Sequence, residues 1–259
     1  MLNKHMSWIK EKLQIRKQLK DLKEIRNFLA NHLKEWDKRK KDIPHDVFQT
    51  TRFILENSID AYESISVLYK QKHYESCIIL ARTILENSVN LKYIYQKDLE
   101  KRARNFAIFP MKSWVEKSKQ FDDIDMIGKT ELINAMKKKL ETYLPSGNNR
   151  NHWDGRNIKE LFEEVGLMKF YTEGYSRLSG FTHSNFKGSV DLHENRPYIT
   201  FIRKFIFVDI LVVTLEALKS MNEKYDLLDG VMIIEDYPHI GATFFFSVNN
   251  KRTEGAVGN

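Results

Sequence analysis

Arg177, Ser179 and His183 stand close together in "YSRLSGFTHSN", the stretch from Tyr175 to Asn185, in a segment whose other residues read as buried helix. A histidine titrates at about pH 6.5 and so can give and take protons near neutrality. An arginine beside it can grip a phosphate oxygen through its bidentate fork and stabilise developing charge. Together these groups would suffice for metal-independent cleavage of RNA, in which the ribose 2′-hydroxyl attacks its own phosphate. The competing reading is a satisfied polar patch inside a helical bundle. On an ideal helix Tyr175, Ser179 and His183 share a side, while Arg177 lies about 120° away from His183. Those two converge only if the helix ends or distorts near Gly180, where glycine costs about 1 kcal/mol relative to alanine, or if two chains contribute.

A second polar pair, Arg82 and Glu86, lies four residues apart in "ESCIILARTILENSVNLKYI", on one face with Ile78, Leu85, Val89 and Tyr93. Charges on an apolar face are costly unless each finds a partner. The pair is therefore either an intrahelical ion pair that also bonds polar groups of a facing helix, or the support that orients a site residue there. Residues 168–183 are the expected facing helix, with Tyr171, Tyr175, Leu178 and Thr182 at steps of four, three and four.

Other chemistries find less. The sequence has no phosphate-binding glycine loop, no dinucleotide fingerprint and no H-E-x-x-H. Ser179 lacks the strand–turn–helix context that exposes a nucleophilic serine. The eight histidines are scattered, and His183 and His193, with Asp191 and Glu194 nearby, read as a solvated turn rather than a metal site. The single cysteine, Cys77, reads as a small buried hydrophobe and fits a reducing cytoplasm. No metal and no cofactor is expected.

The elements that must position these residues can be read from composition and period. With 42% hydrophobic residues, 11 Gly and 5 Pro in 259, the chain can bury a sizeable core but lacks the turn chemistry of sandwiches and barrels. The expected fold is mostly all-α: a helical bundle with a long basic N-terminal helix and a small irregular or β-hairpin element at the C-terminus. Ile15, Leu19, Leu22, Ile25, Leu29, Leu33 and Trp36 form one stripe of a helix over 6–41, and Lys12, Arg16 and Lys20 line another face. Helices are expected at about 46–71, 73–96, 98–120, 129–143, 157–165, 168–183 and 198–223. Residues 73–96 are apolar nearly all round and should form the centre of the bundle. The loop at 144–157 should cap the next helix. Past Gly230 the runs read as two short strands and a disordered tail. The division is thus an arm at 1–44, a core domain at 45–228 and a C-terminal segment at 229–259.

The net charge of +7 is carried by the arm, since residues 1–42 hold 13 Lys/Arg against 6 Asp/Glu and the remainder is balanced. This asymmetry fits either an anionic partner such as RNA, held by Lys12, Arg16 and Lys20, or a solvated face of a helix that packs on the body or on a second copy. The start of the chain lacks an apolar signal region, and "FIFVDILVVTLEAL" (205–218) is too short to span a bilayer and carries Asp209 and Glu216. A cytoplasmic protein with no membrane association is expected.

The segments "ESCIILARTILENSVNLKYI", "HWDGRNIKELFEEVGL" and "FYTEGYSRLSGFTHSN" resemble an uncharacterised family of bacterial helical proteins. Its pattern is R-x-x-x-E (Arg82, Glu86), a W-x-G loop (Trp153, Gly155), then Y-x-x-x-Y-x-x-L-S-x-x-x-H (Tyr171, Tyr175, Leu178, Ser179, His183). More broadly, "RLSGFTH" is similar to the R-x(4–6)-H signature of the HEPN (higher eukaryotes and prokaryotes nucleotide-binding) superfamily, which includes abortive-infection and toxin ribonucleases. Leu178 departs from the polar residue that usually comes directly after the arginine, and Gly180 lies in the spacer. The superfamily also has inactive members that only bind nucleotides or proteins. The resemblance implies a homodimer that brings two Arg/His pairs into one cleft. Arg177 would bind the scissile phosphate, His183 would transfer the proton, and Arg82, Glu86, Tyr175, Ser179 and Asn185 would support them.

Overall fold

The computed structural model describes residues 2–117, 129–143, 153–176 and 205–225. Every regular element among them is helical. The chain is a mostly all-α bundle. The strands expected past Gly230, like the loop residues 144–152, lie outside the described residues.

Helix α1 (Leu2–Lys38) starts and ends a few residues earlier than the sequence pattern indicates. Its stripe is buried at Leu22, Ile25, Leu29 and Trp36. Pro44, with φ near −53°, precedes α2 (His45–Lys70), where its fixed dihedral and missing N–H cost nothing. Arg26 pairs with Glu63 at 3.0 Å and Arg52 with Asp37 at 3.4 Å, so α1 runs antiparallel to α2. By that register Lys70 is level with Leu19, and the first turns of α1 run past the end of α2.

Helix α3 (Tyr74–Gln96) comes after a tight turn in which Lys72 takes φ 66°. It packs most extensively against α2 and against α8 (Ile210–Tyr225), and also meets α4 (Leu99–Lys117) and α6 (Ile158–Glu164). Ile78, Ala81, Ile84, Leu85, Val89 and Ile94 are fully buried. Burial on more than one side is what an apolar-all-round helix requires. Cys77 is among these residues, and burial pushes its thiol up to about 12, which leaves it unreactive. Helix α8 adds Ile210, Leu211, Val213, Leu215, Ala217 and Met221 to the same core. Hydroxyls join the three central helices: Thr214 Oγ1 lies 2.8 Å from Tyr62 Oη and 3.1 Å from Ser88 Oγ. No helix among the described residues is long and apolar enough to cross a membrane.

Helix α5 (Lys129–Tyr143) packs on α4, which passes through Pro110 without ending. Helix α6 begins with a capping box, Asn157 Oδ1 accepting from Glu160 N at 3.0 Å and Glu160 accepting from Asn157 N at 2.9 Å. It ends at Gly166, φ 73°, where Leu167 N donates back to Phe162 O at 2.8 Å. The chain turns directly into the short helix α7 (Met168–Phe170).

Candidate functional site

Helix α7 does not continue as a plain α-helix. It widens into a π-helical turn, π1 (Tyr171–Tyr175), and Ser176 N donates to Tyr171 O, five residues back. A second such turn, π2 (Phe205–Asp209), leads into α8. The two meet at Gly174. A Cβ there would lie 2.6 Å from Cδ2 and Cε2 of Phe205 and 3.5 Å from an Asp209 carboxylate oxygen, so only glycine lets π1 sit this close to the ring. The continuous helix expected over 168–183 is therefore corrected within 168–176: a π-turn shifts the angular phase of the chain beyond it, and ideal-helix angles do not carry across.

This local geometry delivers Tyr175 to α3. Arg82 Nε donates to Glu86 Oε1 at 2.8 Å, and the other end of the guanidinium donates to Tyr175 Oη at 2.7 Å. Tyr175 Oη donates in turn to the same Glu86 oxygen at 2.6 Å. The three side chains form a closed ring of charge-assisted bonds, with the Arg82 Cζ also 4.6 Å from the tyrosine ring centroid. Burial opposes the charge on Arg82, but the bonds to Glu86 and Tyr175 outweigh it and hold the guanidinium above its ordinary pKa. Burial, and then the neighbouring carboxylate, push the Tyr175 phenol upward. Tyr175 is buried at 4% exposure, stacks on Tyr171 and meets Phe162 at a tilt, while the Glu86 side chain keeps 37%. The triad thus opens to solvent on its carboxylate side.

Tyr175→Phe would remove two bonds to charged groups and leave the Arg82–Glu86 pair. The expected loss is about 1–2 kcal/mol, because water can reach Glu86 and replace part of what is lost. Urea unfolding of the two proteins checks this.

A second polar network fastens the W-x-G loop. Gly155 takes φ 72°, which a side chain would strain. Trp153 is buried and its Nε1 donates to Asn90 Oδ1 at 2.9 Å. Tyr93 Oη donates to Asp154, and burial and this carboxylate raise the phenol to about 12. Glu164 gathers Arg102 at 3.0 Å, Lys97 at 3.1 Å and also Arg156. Burial lowers the pKa of Arg102, whose guanidinium lies 3.5 Å over the Tyr93 ring. The network ties the loop to α3, α4 and α6. Sequence pattern singles out Trp153 and Gly155 and places Tyr93 on the face of Arg82, but misses the polar roles of Arg102, Asp154, Arg156 and Glu164. The alternation of Asp154 and Arg156 around the turn glycine was the available signal.

Of the residues expected to carry the site, Arg82, Glu86 and Tyr175 are brought together. Arg177, Ser179, His183 and Asn185 lie outside the described residues. Arg16 and Lys20 are exposed on α1, Lys20 pairing with Glu24 at 3.5 Å, and Lys12 lies on the same helix. Among the described residues no group of three or more His, Cys, Asp or Glu could hold a metal ion.

Fold and site together define an all-helical bundle whose central helix carries a charged pair closed by a tyrosine from a later segment. The chain belongs to the family of unknown function DUF5677, whose match spans residues 51–197 and so takes in Arg82, Glu86, the W-x-G loop and "YSRLSGFTHSN". No curated protein and no solved structure matches the chain.

Proposed function

We propose that this protein is a HEPN-like, metal-independent endoribonuclease of the bacterial defence or toxin type, working in the cytoplasm as a homodimer. The observation that carries the reading is the Arg82–Glu86–Tyr175 triad: a central-helix ion pair closes on the residue two positions before Arg177. In the proposed reaction His183 takes the proton of the ribose 2′-hydroxyl, whose oxygen then bonds to the adjacent phosphorus. Arg177 holds the non-bridging oxygens as charge builds there. The bond from phosphorus to the 5′-oxygen breaks, that oxygen takes a proton from water as it leaves, and His183 returns its own proton to solvent. The products are a 2′,3′-cyclic phosphate and a 5′-hydroxyl. Arg82, Glu86 and Tyr175 act as positioning residues, with Ser179 and Asn185 supporting the same segment. The basic arm, through Lys12, Arg16 and Lys20, adds phosphate contacts.

The test is cleavage of a mixed RNA pool in EDTA by wild type, His183→Ala and Arg177→Ala. Loss of about 10²–10⁴-fold in each variant, with helix content unchanged by circular dichroism, is the expected result. A wild type that leaves the pool intact, with His183→Ala lowering the melting temperature, overturns it.

One observation favours a second reading. Arg82, Glu86 and Tyr175 satisfy one another, as a purely structural network would. On that reading the protein is a non-catalytic nucleic-acid-binding or protein-interaction module, and Arg82→Met with Glu86→Leu together cost less stability than either alone.

A further inference from the structure

From Thr130 to Tyr143 no side chain of α5 is fully buried; Ile133, Met136 and Leu140, at helical spacing, form its partly buried side, and the rest of that stretch is exposed. The end of α5 is held at the base of α4. There the Arg104 guanidinium lies 5.0 Å from the Tyr143 ring centroid, and Arg104 Nε donates to Asp46 of α2 at 2.7 Å. Helices α4 and α5 thus form an antiparallel hairpin whose far half carries two large exposed apolar groups, Trp114 at 50% and Leu132 at 45% exposure. The same hairpin exposes Lys117, Lys137, Lys138 and Lys139, none with an ion pair among the described residues. Against them stand Glu131 and Glu141 of α5 and, in the far half of α4, Glu116, which lies 4.0 Å from Lys112.

We propose that the α4–α5 hairpin is a holding surface for single-stranded RNA, in which the lysines of α5 contact phosphates and the exposed indole of Trp114 stacks on a base. The choice of RNA rests on the proposed ribonuclease activity; the choice of a single-stranded polyanion rests on the hairpin. Free lysines in excess would repel a second copy of the same face, whereas phosphates neutralise them and release counterions. Lys137, Lys138 and Lys139 are consecutive and point about 100° apart round the helix, which suits a flexible strand bending round α5 rather than a rigid duplex groove. A half-exposed tryptophan is a stacking platform that tolerates any base.

The test is fluorescence anisotropy with a labelled single-stranded oligonucleotide bearing 2′-O-methyl riboses. That probe cannot undergo attack by its 2′-oxygen, so failure to bind is read separately from failure to cleave. Wild type should bind it. The triple variant K137E/K138E/K139E should bind roughly tenfold or more weakly, with the slope of log affinity against log salt reduced by about 2. Trp114→Ala should weaken binding roughly tenfold and leave that slope unchanged. All the substituted residues are exposed, so circular dichroism should match wild type. The proposal is overturned if wild type fails to bind or if both variants bind as wild type does. It is also overturned if wild type prefers polyglutamate to the oligonucleotide, or if Trp114→Ala changes only the oligomeric state.

Discussion

Trp36→Ala should destabilise the protein by about 3–5 kcal/mol, the range for removing a large aromatic side chain from a closed core. Trp36 has no solvent exposure. Its ring lies parallel to Phe48 at 5.9 Å and edge-on to Tyr225 at 5.3 Å, and its Nε1 donates to the Phe48 carbonyl at 3.1 Å. One side chain therefore fastens the α1–α2 corner to the end of α8, a segment far away in sequence. Its removal leaves a cavity where helix ends converge, and the backbone there cannot collapse without breaking the α1–α2 register. Because whole domains are stable by only about 5–15 kcal/mol, the variant should show a large drop in its urea midpoint. Trp114→Ala provides the contrast. With half of its surface in water, that side chain should contribute less than about 0.5 kcal/mol. Equal effects at the two positions would contradict the placement of α1 on the core.

The second large effect is acid sensitivity through His32. This side chain is 2% exposed, lies edge-on to Phe28 at 4.5 Å and donates from Nδ1 to the Phe28 carbonyl at 3.2 Å. Burial disfavours the imidazolium more than the carbonyl bond favours it, and the pKa falls to about 4. In the unfolded chain the same group titrates at about 6.5, so between the two values the unfolded state binds more protons. The stability that comes from keeping His32 neutral is fully present above about pH 6.5 and is lost as pH falls toward about 4. By linkage the loss should reach about 2 kcal/mol at pH 5 and about 3 kcal/mol at pH 4. Urea titrations of wild type and His32→Gln at pH 7 and pH 5 isolate the group. The variant should lose less stability than wild type over that interval, and parallel losses would contradict the assignment.

Much of the architecture is legible because it is periodic. The stripe Leu22, Ile25, Leu29, Trp36 marks the buried side of α1, and the apolar girth of α3 marks the bundle centre. Pro44 and the Asn157 cap mark boundaries through local chemistry alone. The spacing of Arg82 and Glu86 shows that they share a face, and the need to satisfy buried charge says that something must meet them. The group that meets them depends on contacts far apart in sequence. Tyr175 lies 93 residues from Arg82, and Tyr93 lies 61 from Asp154. The π-turn that presents Tyr175 depends on Gly174 meeting Phe205, a contact that no local propensity encodes. One exposure also escapes the periodic reading: Ile79 of the central helix, expected to be apolar and covered nearly all round, is half-exposed.

In the proposed function, Arg82, Glu86 and Tyr175 position a segment whose Arg177 and His183 cleave RNA without metal. The most direct test is the chemistry of the new ends when purified wild type and Tyr175→Phe act on RNA in EDTA. The proposed reaction gives 2′,3′-cyclic phosphate and 5′-hydroxyl ends from wild type, and the same ends from Tyr175→Phe at a lower rate under conditions where both proteins stay folded. Intact RNA, or ends bearing 3′-hydroxyl and 5′-phosphate, would contradict it.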